Sequence, residues 1–310
     1  MLHIARIAGR STLRALFLAS AVALATGAAV SVARAETPAQ AAALFVSDRL
    51  SVEVVGSGPD VILIPGLASS REVWRAEAER LKTTHRVHLV QLAGFAGEPW
   101  SHGDGAFLQP VVDELARYIA ERTDGRPAVI GHSMGALTGL VLAQQHPERV
   151  GRLMSVDSLP FFGALFGPTA TVETVRPMAV QMTTTLAAAS DADFLAGQRQ
   201  TANGMSNRAE ARERIVQWSL ATDRHAMAAA MRDVMTTDAR AGLAAMTTPV
   251  TALYASDADG GAPAAMADAL WGAQYASLPG VTLKRIDGSR HFIMADQPER
   301  FAEAVDAFLR

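Results

Sequence analysis

The chain has 310 residues, of which 49% are hydrophobic and 19% charged, with no cysteine and a formal net charge of −3. This composition excludes a disordered chain, a collagen-like chain and a disulfide-stabilised scaffold. The length fits one large α/β domain or two small ones, and either can bury a sizeable core. No basic footprint of a nucleic-acid-binding protein is present, so we expect no nucleic-acid partner.

Residues 1–35 have the pattern of a secretory signal peptide. They contain four arginines and no acidic residue, and residues 15–33 are uncharged. Ala33-Arg34-Ala35 then supplies the small residues that flank a cleavage site. We predict a mature chain that begins near Glu36 in the bacterial periplasm or outside the cell, without stable membrane association. The alternative is an uncleaved anchor, because a stretch of this length can just span a bilayer.

Eight short apolar runs predict strands, at residues 44–47, 50–55, 61–64, 87–92, 128–130, 153–156, 250–254 and 281–286. The first two are close enough to form a hairpin. The later runs are rich in branched side chains, as in a sheet buried on both faces. Helical patterns separate them at 71–82, 110–122, 134–145, 263–275 and 298–309. This alternation predicts an α/β fold with a doubly wound, mostly parallel, eight-stranded sheet.

Residues 158–248 interrupt the alternation. They contain no convincing strand and several stretches with helical spacing, which predicts an inserted helical subdomain between the core segments 36–157 and 249–310. Met227, Met231 and Met235 recur at every fourth position in this insertion. Such a stripe could line an apolar pocket, but its spacing favours ordinary helix core.

The sequence lacks the motifs of several cofactor sites. Both lysines, Lys82 and Lys284, follow a leucine, so there is no Gly-Lys-Ser/Thr phosphate loop. No Gly-x-Gly-x-x-Gly sequence opens a helix after a strand. His85 and His88 are three residues apart on a predicted strand and therefore point to opposite faces. We predict no metal and no organic cofactor.

A candidate nucleophile lies in Gly131-His132-Ser133-Met134-Gly135, directly between a predicted strand and a predicted helix. A sharp strand-to-helix turn strains the backbone of its central serine and requires small neighbours, which explains both glycines. The serine hydroxyl then projects at a helix N-terminus, where developing negative charge is favoured. The alternative is a glycine-rich turn with a capping serine.

A serine nucleophile needs a base and a carboxylate that orients it. His291 follows the last predicted strand and is the candidate base; as an alternative, it is a structural loop histidine. Asp257 is the preferred acid because it lies just past a predicted strand end, whereas Asp259 adjoins two glycines in a more solvated segment. Asp157 also follows a strand, but a turn-capping role explains it more simply.

Two backbone donors are candidates for an oxyanion hole, which a tetrahedral intermediate requires. Leu67 lies in the loop that follows the strand at 61–64, and Gly66 allows that backbone to turn inward. Met134 directly follows the candidate nucleophile and supplies the second N–H group. The Pro65-Gly66 pair is alternatively a plain turn.

The chain resembles the α/β-hydrolase family, in its capped, single-domain branch, over nearly all of residues 44–309. The resemblance rests on Ile64-Pro65-Gly66-Leu67, on the elbow at 131–135, on His-Pro-Glu-Arg-Val at 146–150, and on His291-Phe292 with residues 296–299 beyond. The order Ser, Asp, His is that of the family's triads. The resemblance implies an eight-stranded sheet and a helical cap at 158–248. Pro65 stands where many members have His, and the sequence at 255–258 replaces the usual Gly-x-x-Asp.

A serine at the elbow points to acyl transfer, because members that open epoxides or displace halide have Asp there. We predict a serine hydrolase that cleaves carboxylic esters of small apolar substrates through an acyl-enzyme. Phe161 and Phe162 either line its substrate pocket or join the insertion to the core. The alternatives are an amidase, an aminopeptidase or a C–C bond hydrolase on the same triad, and a low-turnover binding protein on a hydrolase scaffold.

Overall fold

The computed structural model describes residues 45–310, so the predicted signal peptide lies outside the described residues. Within this range seven strands form one sheet: β1 (Leu50–Gly56), β2 (Asp60–Ile64), β3 (Arg86–Leu92), β4 (Ala128–His132), β5 (Arg152–Val156), β6 (Val250–Ser256) and β7 (Thr282–Asp287). Their order is β1-β3-β2-β4-β5-β6-β7. β1 is antiparallel to β3, and the other neighbours are parallel. The predicted mostly parallel sheet is confirmed.

The sheet has seven strands instead of eight because residues 45–47, the described part of the predicted strand at 44–47, belong to no strand. Ser47 Oγ accepts the backbone N–H groups of Arg49 and Leu50 at 3.1 and 3.3 Å. Phe45 packs edge-on against Tyr118, with ring centroids 4.9 Å apart. The predicted hairpin is therefore wrong, and β1 pairs with β3 instead.

Within residues 45–310, eleven α-helices accompany the strands: α1 (Arg75–Leu81), α2 (Leu108–Arg122), α3 (Met134–Gln145), α4 (Val172–Ala188), α5 (Asp191–Met205), α6 (Ala209–Leu220), α7 (Arg224–Thr236), α8 (Arg240–Leu243), α9 (Ala264–Tyr275), α10 (Ile293–Asp296) and α11 (Pro298–Leu309). Short 3-10 helices cover Arg71–Trp74 and Phe162–Phe166. None of the helices in the described range is long and apolar enough to cross a membrane.

Side-chain alternation along β2 explains why its sequence is a continuous apolar run. Ile62 and Ile64 face a cluster covered by α2 and α3. Val61 and Leu63 face the opposite cluster, which is covered by α1 and α11. A strand that is buried on both faces needs apolar side chains at every position.

Helices α4 to α8 lie between β5 and β6, in the predicted insertion. Met227 packs with Ala68 and Phe194, and Met235 packs against the α4 residues Val175 and Ala179. The helix-core interpretation of the methionine stripe is thus correct for these two residues. Because Ala68 belongs to the loop after β2, the insertion contacts the carboxyl edge of the sheet.

Candidate active site

Ser133 occupies a strained turn between β4 and α3. Its φ of 54° and ψ of −121° lie in a region that non-glycine residues rarely adopt. Its backbone N–H donates to the carbonyl oxygen of Val156 at 2.9 Å. A Cβ at Gly131 would lie 2.4 Å from the Gly135 carbonyl oxygen, and one at Gly135 would lie 2.4 Å from that of Ile64. Both contacts are with backbone, so the turn closes only with glycine on each side of the serine.

The loop after β2 lies directly against this elbow. A Cβ at Gly66 would approach the Ser133 Cβ to 3.2 Å, and Ala68 has a φ of 55°. Within residues 45–310, neither the Leu67 nor the Met134 backbone N–H donates to a backbone acceptor. Two unused donors beside a nucleophile suit a developing oxyanion. The oxyanion role of these two N–H groups stays a prediction.

His291 is paired with Asp157. The distance from His291 Nδ1 to Asp157 Oδ2 is 2.7 Å, and Asp157 Oδ1 accepts the Ala255 backbone N–H at 2.9 Å. Asp157 has a φ of 46°, and it directly follows Val156, the residue that accepts the Ser133 N–H. The elbow and the His–Asp pair therefore lie at the same carboxyl edge of the sheet.

The prediction that Asp257 orients the histidine is wrong. Asp257 Oδ2 lies 2.7 Å from Arg290 Nε, and this hydrogen bond is the main cause that lowers the pKa of Asp257. β6 continues to Ser256, beyond its predicted end, and the Asp257 main chain then turns back to pair with Ala262. The other alternative, Asp259, is exposed.

One feature of the sequence favours Asp157 over Asp257 as the partner of His291. Asp157 is the first residue after β5, and β5 is the direct neighbour of the strand that leads to Ser133. Carboxyl ends of adjacent parallel strands meet at one edge, where open α/β sheets place their sites. The sequence does not indicate the left-handed backbone conformation of Asp157, which directs its carboxylate toward His291. It also does not indicate the ion pair between Asp257 and Arg290.

The two phenylalanines predicted for the pocket have different surroundings. Phe161 is completely buried, packs with Val175 and Met235, and lies under the Arg240 guanidinium at 4.5 Å from its ring centroid. All of these partners belong to the insertion, so Phe161 packs within it, and both roles predicted for Phe161 stay predictions. Phe162 is partly buried at the edge of the main cluster, and its pocket role stays a prediction.

The charged and histidine side chains of residues 45–310 include no group of three or more that could hold a metal ion. His88 lies on β3 and is buried between other side chains, whereas His85 precedes that strand. His88 Nε2 lies 2.8 Å from Asp60 Oδ1 and its Nδ1 lies 2.7 Å from the Tyr118 hydroxyl. This network lies at the amino ends of the parallel strands, opposite the elbow.

A serine at a strained elbow, on a mostly parallel sheet wrapped by helices, defines the class of α/β-hydrolases. The sequence profile described as "Alpha/beta hydrolase family" matches residues 61–304, and the chain belongs to this family.

Two curated relatives are named pimeloyl-[acyl-carrier protein] methyl ester esterase. The one from Aeromonas salmonicida is 34% identical over 115 residues, and the one from Aeromonas hydrophila is 36% identical over 116 residues. Each match covers 37% of this chain and 44% of the relative. The chain thus spans less than half the length of these relatives.

Solved structures with the same fold cover more of the chain. A hydrolase from Pseudomonas aeruginosa has a TM-score of 0.69 and 22% identity over 84% of this chain and 94% of its own. A thermophilic esterase from Thermogutta terrifontis has a TM-score of 0.66 and 22% identity, and the match covers 84% of this chain and 93% of the esterase. At this level of identity the likeness concerns the fold alone.

Proposed function

We propose that this protein is a serine hydrolase that cleaves carboxylic esters. The observation that carries the proposal is the His291–Asp157 pair, with Nδ1 and Oδ2 2.7 Å apart, beside a strained serine elbow. The relatives named as methyl ester esterases and the structural neighbour named as an esterase support an ester-hydrolysing enzyme.

The proposed chemistry has two halves. Ser133 Oγ attacks the acyl carbon while His291 Nε2 accepts its proton, and the oxyanion binds the N–H groups of Leu67 and Met134. His291 then gives the proton to the leaving alkoxide, which departs as the alcohol and leaves an acyl-serine. Water attacks this ester with His291 again as base, and the acid product and free Ser133 result. Asp157 keeps the Nδ1–H of His291 in place throughout.

The proposed substrates are esters with short or medium apolar chains. Partly buried Leu67, in the loop after β2, and Leu186, in the insertion, border the buried cluster of Ala68, Phe194 and Met227. Phe162 is a further partly buried apolar side chain of the insertion. Apolar walls with few polar groups are typical of sites for small molecules. We propose that helices α4 to α8 act as the cap over this site.

We also propose that residues 1–35 export the chain and are then removed, which leaves the mature enzyme in the periplasm or outside the cell. N-terminal sequencing of exported protein should return a sequence that begins near Glu36. A product that begins at Met1 would contradict the proposal.

A serine-directed fluorophosphonate probe tests the hydrolase proposal. The wild type should be labelled and should hydrolyse p-nitrophenyl esters, whereas folded Ser133→Ala should do neither. A folded wild type that is neither labelled nor active on esters would favour a binding protein. Labelling without ester hydrolysis, together with turnover of anilides or diketones, would favour the amidase, aminopeptidase or C–C hydrolase alternatives.

A further inference from the structure

His132, the residue before the nucleophile, lies inside the site but has no part in the chemistry described above. Its side chain is 1% exposed. The centroid of its ring lies 4.5 Å from that of His291, 4.6 Å from that of Phe292 and 6.5 Å from that of Trp74. The ring is thus enclosed by aromatic groups, two of which belong to the segment that carries the base.

The hydrogen bonds of His132 define its tautomer. Nε2 lies 3.0 Å from the backbone carbonyl oxygen of His291. A carbonyl oxygen only accepts, so Nε2 carries the proton and donates it. Within residues 45–310, Nδ1 is buried with no hydrogen-bond partner. A second proton, on Nδ1, would therefore have no acceptor. Burial, and next the neighbouring His291, hold the pKa of His132 well below its usual range. The ring is therefore a neutral donor.

The backbone around His291 is held by three different parts of the chain. The Arg290 N–H donates to Asp296 Oδ2 at 2.8 Å. The Phe292 N–H donates to the carbonyl oxygen of Met205, in the insertion, at 2.9 Å. The carbonyl oxygen of His291 itself accepts from His132. Of these three supports, His132 is the one that is covalently next to Ser133.

The opposite edge of the His132 ring faces the loop after β2, which contains Gly66 and Leu67. A Cβ at Gly66 would lie 3.0 Å from His132 Nδ1, so the main chain of that loop passes directly over this nitrogen. The His132 ring therefore lies between the loop after β2 and the main chain of His291. His132 is also the residue that directly precedes Ser133.

We infer that His132 is a positioning residue, which sets the distance between Ser133 and the His291 ring through its hydrogen bond to the His291 main chain. This inference rests on the proposed hydrolase function. A catalytic base must stay close to the geometry of proton transfer, and a displacement of 1 Å can cost about 100-fold in rate.

Three variants test the inference. His132→Phe keeps a ring but removes the donor, and we expect kcat to fall about 10- to 100-fold while KM stays within about twofold. His132→Gln keeps a donor near the position of Nε2 and should recover most of kcat. Trp74→Phe is the matched control, because the buried Trp74 Nε1 has no partner within residues 45–310. It should lose stability but keep kcat.

Proton NMR supplies a readout that a purely structural role would not change. The far-downfield proton of the His291–Asp157 hydrogen bond should broaden or shift in His132→Phe and remain in Trp74→Phe. Unchanged kcat and an unchanged resonance in folded His132→Phe would overturn the inference. So would lower kcat values of equal size in His132→Phe and Trp74→Phe.

A measurement on the wild type remains decisive if His132→Phe does not fold. Nitrogen-15 NMR of labelled histidines should show His132 as the neutral Nε2–H tautomer from about pH 6.5, the ordinary pKa of histidine, up to about pH 9. Protonation in that range, or an Nδ1–H tautomer, would contradict the inference. If the wild type is not labelled by the fluorophosphonate and hydrolyses no substrate, the proposed function fails, while the two NMR readouts still show whether His132 holds the main chain of His291.

Discussion

Asp157 Oδ1 accepts the Ala255 N–H while its Oδ2 faces His291 Nδ1. Each carboxylate oxygen thus has its own donor, and the side chain has no freedom to exchange them without breaking both hydrogen bonds. This arrangement fixes the histidine as the tautomer with a proton on Nδ1 and a free lone pair on Nε2, which is the form that can accept a proton from serine.

Asp157→Asn should lower kcat about 10⁴-fold in a protein that remains folded. The Ala255 N–H requires an acceptor, so the amide oxygen will face it and the NH₂ group will face His291. Nδ1 must then accept, and the proton moves to Nε2, where it blocks the base. Steady-state kinetics on p-nitrophenyl esters, together with circular dichroism, measure this.

Asp257→Asn is the matched control for that substitution. It weakens a partly exposed ion pair with Arg290, which contributes at most about 1 kcal/mol, so kcat should stay within about fivefold of wild type. A loss in Asp257→Asn as large as in Asp157→Asn would contradict the assignment of the acid.

Gly135→Ala should destabilise the protein by about 1–3 kcal/mol and lower kcat. The new Cβ would lie 2.4 Å from the carbonyl oxygen of Ile64 and 2.6 Å from that of Pro65, so the main chain would have to shift. The elbow and the loop after β2 would be pushed apart. Gly272→Ala is the control: it lies in α9 with nothing within 4 Å of a Cβ and should gain about 0.5–1 kcal/mol. Urea unfolding distinguishes the two, and equal stabilities would argue against the close contact.

Phe161→Ala and Phe162→Ala should have different effects. The first removes a completely buried ring and should cost about 3–5 kcal/mol of stability, with little change in the relative kcat/KM values of short and medium esters. The second removes a partly buried ring and should change that preference. A p-nitrophenyl ester series measures both. Unchanged chain-length preference in Phe162→Ala would exclude its pocket role.

Asp60 should make the fold sensitive to acid. Burial opposes its ionisation, but hydrogen bonds from Arg86 and His88 outweigh this and lower its pKa from 3.8 to about 2. A depressed carboxyl pKa stabilises the fold above the unfolded pKa, and this stabilisation, about 2 kcal/mol, is lost as pH falls from about 4 to 2. Asp60→Asn should unfold more easily at pH 7 and show less dependence on pH below 4. Asp124→Asn, at an exposed contact of the same Arg86, should match the wild type in chemical unfolding across this range.

Local sequence was sufficient to predict most of the strands and helices and the serine elbow. The continuous apolar run of β2 and the helical spacing of α3 and α11 reflect burial on one or both faces, and burial acts on neighbouring residues of the chain. Gly131 and Gly135 frame the elbow for a similarly local reason, since the turn itself admits no Cβ on either side of Ser133. The strand at 44–47 was predicted wrongly because Phe45 packs on Tyr118 of α2, a contact between residues far apart in the chain.

The sequence by itself determined the α/β fold, the serine elbow and a histidine after the last strand, because these features depend on periodicity and on backbone sterics within a few residues. Only the tertiary structure decided which carboxylate faces His291. Asp157 and Asp257 both follow buried strands, and the difference between them arises from a left-handed backbone at the first and from Arg290 beside the second. The hydrogen bond from His132 to His291 likewise joins residues 159 positions apart, and such a contact exists only once the sheet has brought β4 and the loop after β7 together.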